Sequence, residues 1–264
     1  MRLDSACHFA DRSRFTYPWM AEAAPHMDRD FTPEDLERIL TRNRFEGAVV
    51  SALLDDPAET SWLIGLAEEH PWIRGVLGSP DLPSLDRWQK SPVLRGIVCT
   101  VTTPAEVFRE IKLRKLSSDL ICLDRLAEAV RLAEAWPDLT IVLTETAGAR
   151  FEEGEFEQWS RLLRPFTSLA NVSVKISGLI RHGGPDGWHA ETYAPYVQWL
   201  MAHFGPDRLL YGSGWPHCMH TGTWKESLAA FTQAWGAQTL EVREKVLGAT
   251  GARVYGIVPM GSER

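Results

Sequence analysis

Short apolar runs recur along the chain at near-regular intervals, and each is almost unbroken rather than alternating. They are Leu3–Phe9, Gly47–Leu53, Ile73–Gly78, Leu94–Cys99, Asp119–Leu123, Leu139–Leu143, Val172–Ser177 and Arg208–Gly212. Runs this short, rich in valine and isoleucine, suit strands covered on both faces of a parallel sheet. Between them the spacing becomes helical. Thr32-Pro33-Glu34-Asp35 predicts a helix start: threonine caps, proline takes the first position, and acids favour the positive end. Asp56-Pro57-Ala58-Glu59 and Thr103-Pro104-Ala105-Glu106 follow the same logic. Further amphipathic stretches cover Asp124–Trp136, Glu153–Leu169, Tyr193–Phe204, Thr223–Trp235 and Leu240–Leu247, with a cramped crossover over Leu82–Lys90. Several stop before proline or glycine, as at His70-Pro71, Trp136-Pro137 and Phe204-Gly205-Pro206.

Eight strands alternating with eight helices predict a single-domain α/β (β/α)8 barrel, a TIM barrel, over residues 1–264. Strand starts run from 3 to 208, about 29 residues per unit. A doubly wound open sheet would usually carry a glycine-rich phosphate loop after its first strand, and Phe9-Ala10-Asp11-Arg12 is not one. No short repeat, low-complexity run or linker divides the chain.

Charge narrows the partners. Lys and Arg total 28 against 35 Asp and Glu, a net charge of −7. That argues against nucleic acid and against an anionic membrane surface, leaving a small-molecule substrate. The four cysteines are too scattered for a disulfide framework or a paired-cysteine metal site, which suits a reducing compartment. With no apolar run of signal length near Met1 and no stretch near the ~20 residues of a membrane span, the expectation is a soluble cytoplasmic protein. The tryptophans in helical stretches (Trp62, Trp88, Trp159, Trp188, Trp199, Trp224 and Trp235) suit packing or the face of a homo-oligomer.

In a barrel, function sits at the C-terminal strand ends. The first run ends in Ala6-Cys7-His8-Phe9, where residues 6 and 8 share a face; if that face is interior, His8 points into the pocket mouth. The alternative is a core histidine bonded to a carbonyl. Thr144-Glu145-Thr146 ends the sixth run, and a carboxylate there is uncommon unless paired or used. Lys175 lies between Val174 and Ile176, so alternation turns its amine toward the barrel axis. Such a lysine is costly unpaired, whether functional or salt-bridged, and Glu145 is the carboxylate expected to hold it charged. Asp119, near the start of its run, reads as a stability residue. Arg181 and His182 follow the seventh run, and Ser213-Gly214-Trp215-Pro216-His217 ends the eighth. His8, Glu145, Lys175 and His217 are the catalytic candidates, expected to converge on one cavity. Tyr17, Trp19, Ser177, Arg181, His182, Ser213 and Trp215 are the substrate-binding candidates, with the aromatic rings walling the pocket.

Asp4-Ser5 with His8-Phe9, Tyr17-Pro18-Trp19, Lys175-Ile176-Ser177-Gly178-Leu179 and Asp207–Ser213 with Trp215-Pro216 resemble the amidohydrolase-related lactonases, as does Glu59–Gly78. The resemblance spans residue 1 to about 257 and includes the sugar-lactone hydrolases and 2-pyrone-4,6-dicarboxylate lactonase. It implies a distorted (β/α)8 barrel and hydrolysis of a small, anionic lactone or related ester. It also implies departures. The family's His-x-His on the first strand is reduced to Ala6 and His8. Its sixth-strand histidine is replaced by Glu145 or Thr146. The aspartate of its Gly-Ser-Asp-Trp-Pro signature, a metal ligand or general base, is Gly214. An Arg/His segment after the fourth strand has given way to Val98-Cys99. A catalytic zinc usually needs three protein ligands, so neither a tightly bound metal nor any other cofactor is expected. His8 or His217 would then be the base, Lys175 would steady the oxyanion, and Glu145 would orient a histidine. Two alternatives stand beside metal-independent hydrolysis: a repurposed isomerase, dehydratase or cyclase, and a non-catalytic ligand-binding protein.

Overall fold

The apolar runs form eight parallel strands, each hydrogen-bonded to the next in chain order. They are β1 (Leu3–Cys7), β2 (Gly47–Ser51), β3 (Ile73–Gly78), β4 (Leu94–Thr100), β5 (Ser117–Ile121), β6 (Ile141–Leu143), β7 (Val172–Ile176) and β8 (Leu209–Tyr211). The computed structural model describes residues 1–21, 24–151, 155–181 and 187–258. Just beyond β8, the Gly214 amide donates to the Ala6 carbonyl (2.9 Å) and the His8 amide to the Trp215 carbonyl (2.8 Å), closing the sheet into the expected (β/α)8 barrel. β6 starts two residues later than its apolar run because Leu139 closes a turn, its amide on the Trp136 carbonyl.

Helices over Pro33–Arg42, Pro57–Glu69, Leu82–Trp88, Ala105–Leu113, Leu126–Ala135, Glu155–Leu163, Ala190–Phe204 and Trp224–Trp235 alternate with the strands. Asp56 caps its helix through a side-chain oxygen, as the pattern predicts, and Thr223 caps the helix Trp224–Trp235 in the same way. Thr103 does not: its hydroxyl accepts from the Thr100 amide, tying the β4 exit, and the helix begins after Pro104. The amphipathic stretch from Leu240 is not one helix either. It is helical over Leu240–Glu244, widens over Lys245–Ala249 and resumes over Thr250–Val254. The widened turn lays Gly248 on β1, where an added Cβ would sit 2.1 Å from the Met1 carbonyl oxygen.

The barrel axis is filled by Leu3, Val49, Leu77, Val142 and Leu210, sealed from below by Ala252, Tyr255 and Ile257 of the C-terminal segment. Above this apolar layer the C-terminal ends of β2, β3, β4, β6 and β7 present Ser51, Ser79, Thr100, Thr144 and Ser177 to an open space. β1 reaches both levels only because its register slips between Asp4 and Cys7: Leu3 packs inside, and so do Ala6 and His8. Asp4 turns outward, fully buried, and accepts from the Ser213 amide (2.8 Å) and Trp224 Nε1 (2.6 Å), so it fastens the β8 exit to the last large helix. Trp88, Trp159, Trp224 and Trp235 are buried in the helical layer, where they serve as packing. Among the described residues no helix is long and apolar enough to cross a membrane.

Candidate active site

A cavity of about 550 Å³ opens at the C-terminal ends of the strands. Ser51, Ser79, Thr144 and Ser177 line its middle, while Leu53, Leu54, Pro80, Val98 and Ile121 give the β2–β5 side an apolar wall. The rim loop over 53–54 is held by Glu59, whose Oε2 accepts from both the Leu53 (2.8 Å) and Leu54 (2.7 Å) amides. His8, Glu145, Lys175 and His217 all face this one cavity, as do Trp19, Ser177 and Arg181.

His8 meets both readings of its sequence position. Its Nδ1 lies 3.0 Å from the Ser51 carbonyl oxygen. A carbonyl can only accept, so Nδ1 carries the proton and Nε2 keeps a free lone pair. Burial, with the Lys175 and Arg181 charges nearby, lowers its pKa to about 4. His217 stands edge-on to it, ring centroids 5.2 Å apart, and packs on Trp19 at 4.6 Å. Burial and the neighbouring His8 lower the His217 pKa to about 2. Both imidazoles are therefore neutral at pH 7, and His8 is the more basic of the two.

Lys175 points to the barrel axis, but its partner is not Glu145. Nζ lies 2.7 Å from Asp119 Oδ2, with side-chain exposures of 2% and 1%. The expectation that paired Lys175 with Glu145 fails because β5 and β7 flank β6 and, as alternate strands, bring Asp119 and Lys175 together inside the barrel, a relation alternation within one strand cannot report. Glu145 instead pairs with Arg181, Oε1 to Nη1 at 3.0 Å. It is aimed there by an unusual turn: Glu145, Thr146 and Ala147 are successively left-handed, with φ of 50°, 52° and 54°. Each such residue costs roughly 1–2 kcal/mol. The turn is held by Thr146, whose hydroxyl donates to the Ser177 carbonyl (2.8 Å) and accepts from the Ser177 amide, and by Trp159 Nε1 on the Thr146 carbonyl. Glu145, not the buried Thr146, is the group presented to the cavity.

Tyr17, Ser213 and Trp215 do not line the cavity. Tyr17 is buried in an aromatic row between Phe15 and Trp19, and only Trp19 reaches the space. Trp215 is fully buried on the outer side, packed on Phe9 and Phe31, because the β8 exit turns at Gly214 and sends the ring away from the axis. Ser213 Oγ accepts from the Trp215 amide and fixes that turn. His182 lies outside the described residues. Asp119 was legible only as a stability residue, yet it lines the cavity floor with Lys175.

The metal implied for this kind of barrel does not fit the residues present. Among the described residues no three His, Cys, Asp or Glu side chains are grouped to hold an ion. Ala6 has no ligand atom, Glu145 is engaged by Arg181, and Gly214 sits at the rim with φ of +70°. A Cβ at Gly214 would meet nothing closer than the Gly178 amide at 3.6 Å, so the space of the missing aspartate is open.

Residues 118–257 match the family model of the amidohydrolases. An L-fucono-1,5-lactonase of Burkholderia ambifaria is 27% identical over 97% of this chain and 92% of its own length. A crystal structure of a Burkholderia multivorans amidohydrolase with bound zinc superposes with a TM-score of 0.85 at 24% identity, covering 98% of this chain and 100% of the other. A putative 2-pyrone-4,6-dicarboxylic acid hydrolase of Pseudomonas putida does so with a TM-score of 0.74 at 21% identity and 97% coverage of both.

Proposed function

The chain belongs to the amidohydrolase family, and on that premise we propose that it hydrolyses an uncharged, hydroxyl-bearing lactone without a metal ion, using His8 as the base. The observation that carries this is His8: Nδ1 is committed to the Ser51 carbonyl, and Nε2 is free at the cavity. In the reaction Nε2 takes a proton as water adds to the lactone carbonyl. The ammonium hydrogens of Lys175 not engaged by Asp119 steady the oxyanion. As the ring C–O bond breaks, the imidazolium returns its proton to the leaving oxygen, giving the open hydroxy acid. A histidine whose protonated form is disfavoured gives that proton back readily.

The preference for an uncharged substrate rests on charge. The resemblance implied an anionic one, which would need an unpaired cation, yet Lys175 is bound to Asp119 and Arg181 to Glu145. A substrate carboxylate would have to displace a carboxylate already in place. Hydroxyls of Ser51, Thr144 and Ser177 around the cavity suit a polyol ring instead. The curated L-fucono-1,5-lactonase relative supports the same class. The test compares hydrolysis of L-fucono-1,5-lactone and 2-pyrone-4,6-dicarboxylate. We expect kcat/KM at least ~10-fold higher for the neutral lactone, about 1.4 kcal/mol, since a substrate carboxylate finds both cations already paired; faster turnover of the dicarboxylate would overturn the reading.

A further inference from the structure

The carboxylate beneath the cavity has a third partner, from the end of the chain. Tyr255, in the turn that follows the helix Thr250–Val254, donates its hydroxyl to Asp119 Oδ2 at 2.8 Å. This is the same oxygen that receives Lys175 Nζ at 2.7 Å, while Ser117 Oγ holds Oδ1 at 3.1 Å. The Tyr255 ring also lies under the ammonium, its centroid 5.5 Å from Nζ. Burial and the Asp119 charge push the Tyr255 hydroxyl well above its ordinary range, so it stays a donor. The segment carrying it is anchored to two barrel strands: Arg95 Nη1 of β4 donates to the Gly256 carbonyl (3.1 Å) and Arg74 Nη2 of β3 to the Val258 carbonyl (2.6 Å).

A hydrophobic plug would need no hydroxyl here. Leu3, Val49, Leu77, Val142 and Leu210 already seal the axis with Ala252 and Ile257. What the hydroxyl adds is competition for one carboxylate oxygen. With Tyr255 in place, Asp119 divides its charge between two donors and its position is fixed from below. Without it, the carboxylate is free to draw the ammonium down, away from the cavity.

We infer that Tyr255 is a positioning residue for Lys175: through Asp119 it sets the height and direction of the ammonium group at the cavity floor, making the C-terminal segment part of the site. As a statement about catalysis this rests on the hydrolytic role of Lys175; as a statement about geometry it does not. The experiment uses Tyr255→Phe, Asp119→Asn and the double variant, with L-fucono-1,5-lactone as probe. Each is also labelled with ¹⁵N at lysine Nζ, the Lys175 ammonium resonance being identified by its loss in Lys175→Arg. Tyr255→Phe should keep its melting temperature within a few degrees, move the Lys175 resonance, and lower kcat roughly three- to tenfold, the worth of one hydrogen bond, with KM unchanged. In the Asp119→Asn background it should lower kcat no further. An unmoved resonance or an unchanged kcat in folded Tyr255→Phe overturns the inference, as does an equal kcat loss with and without Asp119. The resonance in Tyr255→Phe needs neither a folded Asp119→Asn nor a substrate. If the wild-type protein hydrolyses no lactone, the hydrolytic reading falls, and the resonance alone upholds or overturns the positioning role.

Discussion

The bond from His8 Nδ1 to the Ser51 carbonyl decides which chemistry that side chain can do. Replacing His8 with asparagine should cost roughly 10²- to 10⁴-fold in kcat, read by steady-state hydrolysis beside a thermal melt. The acid limb of kcat/KM should fall near pH 4, where His8 takes up a proton, with a plateau above it. Stability follows the same groups. Folded His8 and His217 bind protons less readily than unfolded histidine, whose ordinary value is 6.5. Their contribution is therefore whole above pH 6.5 and is lost as pH falls below it, toward about 4 for His8 and about 2 for His217, which melts across that range would show. Lys175 carries a different consequence. Removing it strands a buried Asp119, so Lys175→Met should lose about 3–5 kcal/mol of stability, and Lys175→Met/Asp119→Leu should melt above the single variant. A single variant as stable as the wild type would contradict the buried pair. His8 and Lys175 were legible from strand alternation alone. Their partners were not, because Ser51 on β2 and Asp119 on β5 are set by the order and register of the strands, which the pattern along one run does not carry. Trp215 misled for the opposite reason: a residue beside a motif need not share its face once the chain turns at Gly214.

At the scale of elements, the strands were readable because parallel strands covered on both faces must be continuously apolar. Their ends were less so: Thr103 fits the spacing of a helix cap but is used by the β4 exit. Nothing in Leu240–Val254 marks the widened turn at Lys245–Ala249, whose cause is the close approach of Gly248 to β1. Gly248→Ala should therefore cost at least about 1–3 kcal/mol. The left-handed turn after β6 was equally hidden, since Glu145-Thr146-Ala147 contains no glycine. It depends on Thr146, whose hydroxyl both donates to and accepts from Ser177. Thr146→Val keeps the shape and strands those groups, at a cost of about 1–3 kcal/mol. It should also lower kcat by letting Glu145 and Arg181 swing. Unchanged stability and turnover would show that the turn needs no such clamp.

Across the whole molecule, one closed barrel brings together side chains from both ends of the sequence. The exit of β1 supplies His8, β5 and β7 supply the buried ion pair, and the final segment supplies the floor. Among the described residues, the two cations lining the cavity are each paired with a carboxylate, Asp55 adds a third carboxylate at the lining, and both histidines are neutral, so the site offers no unpaired cation. Such a site can activate water with a histidine and a lysine where Ala6 and Gly214 leave a metal short of ligands. The most direct test is hydrolysis of L-fucono-1,5-lactone by protein stripped with chelator and verified by elemental analysis to hold less than about 0.05 metal per chain, a level at which a metal-dependent enzyme with an open zinc site would be almost silent. The account predicts turnover equal to that of untreated protein, unchanged by added zinc or manganese and abolished in His8→Asn. Turnover that vanishes on stripping and returns with zinc would contradict it.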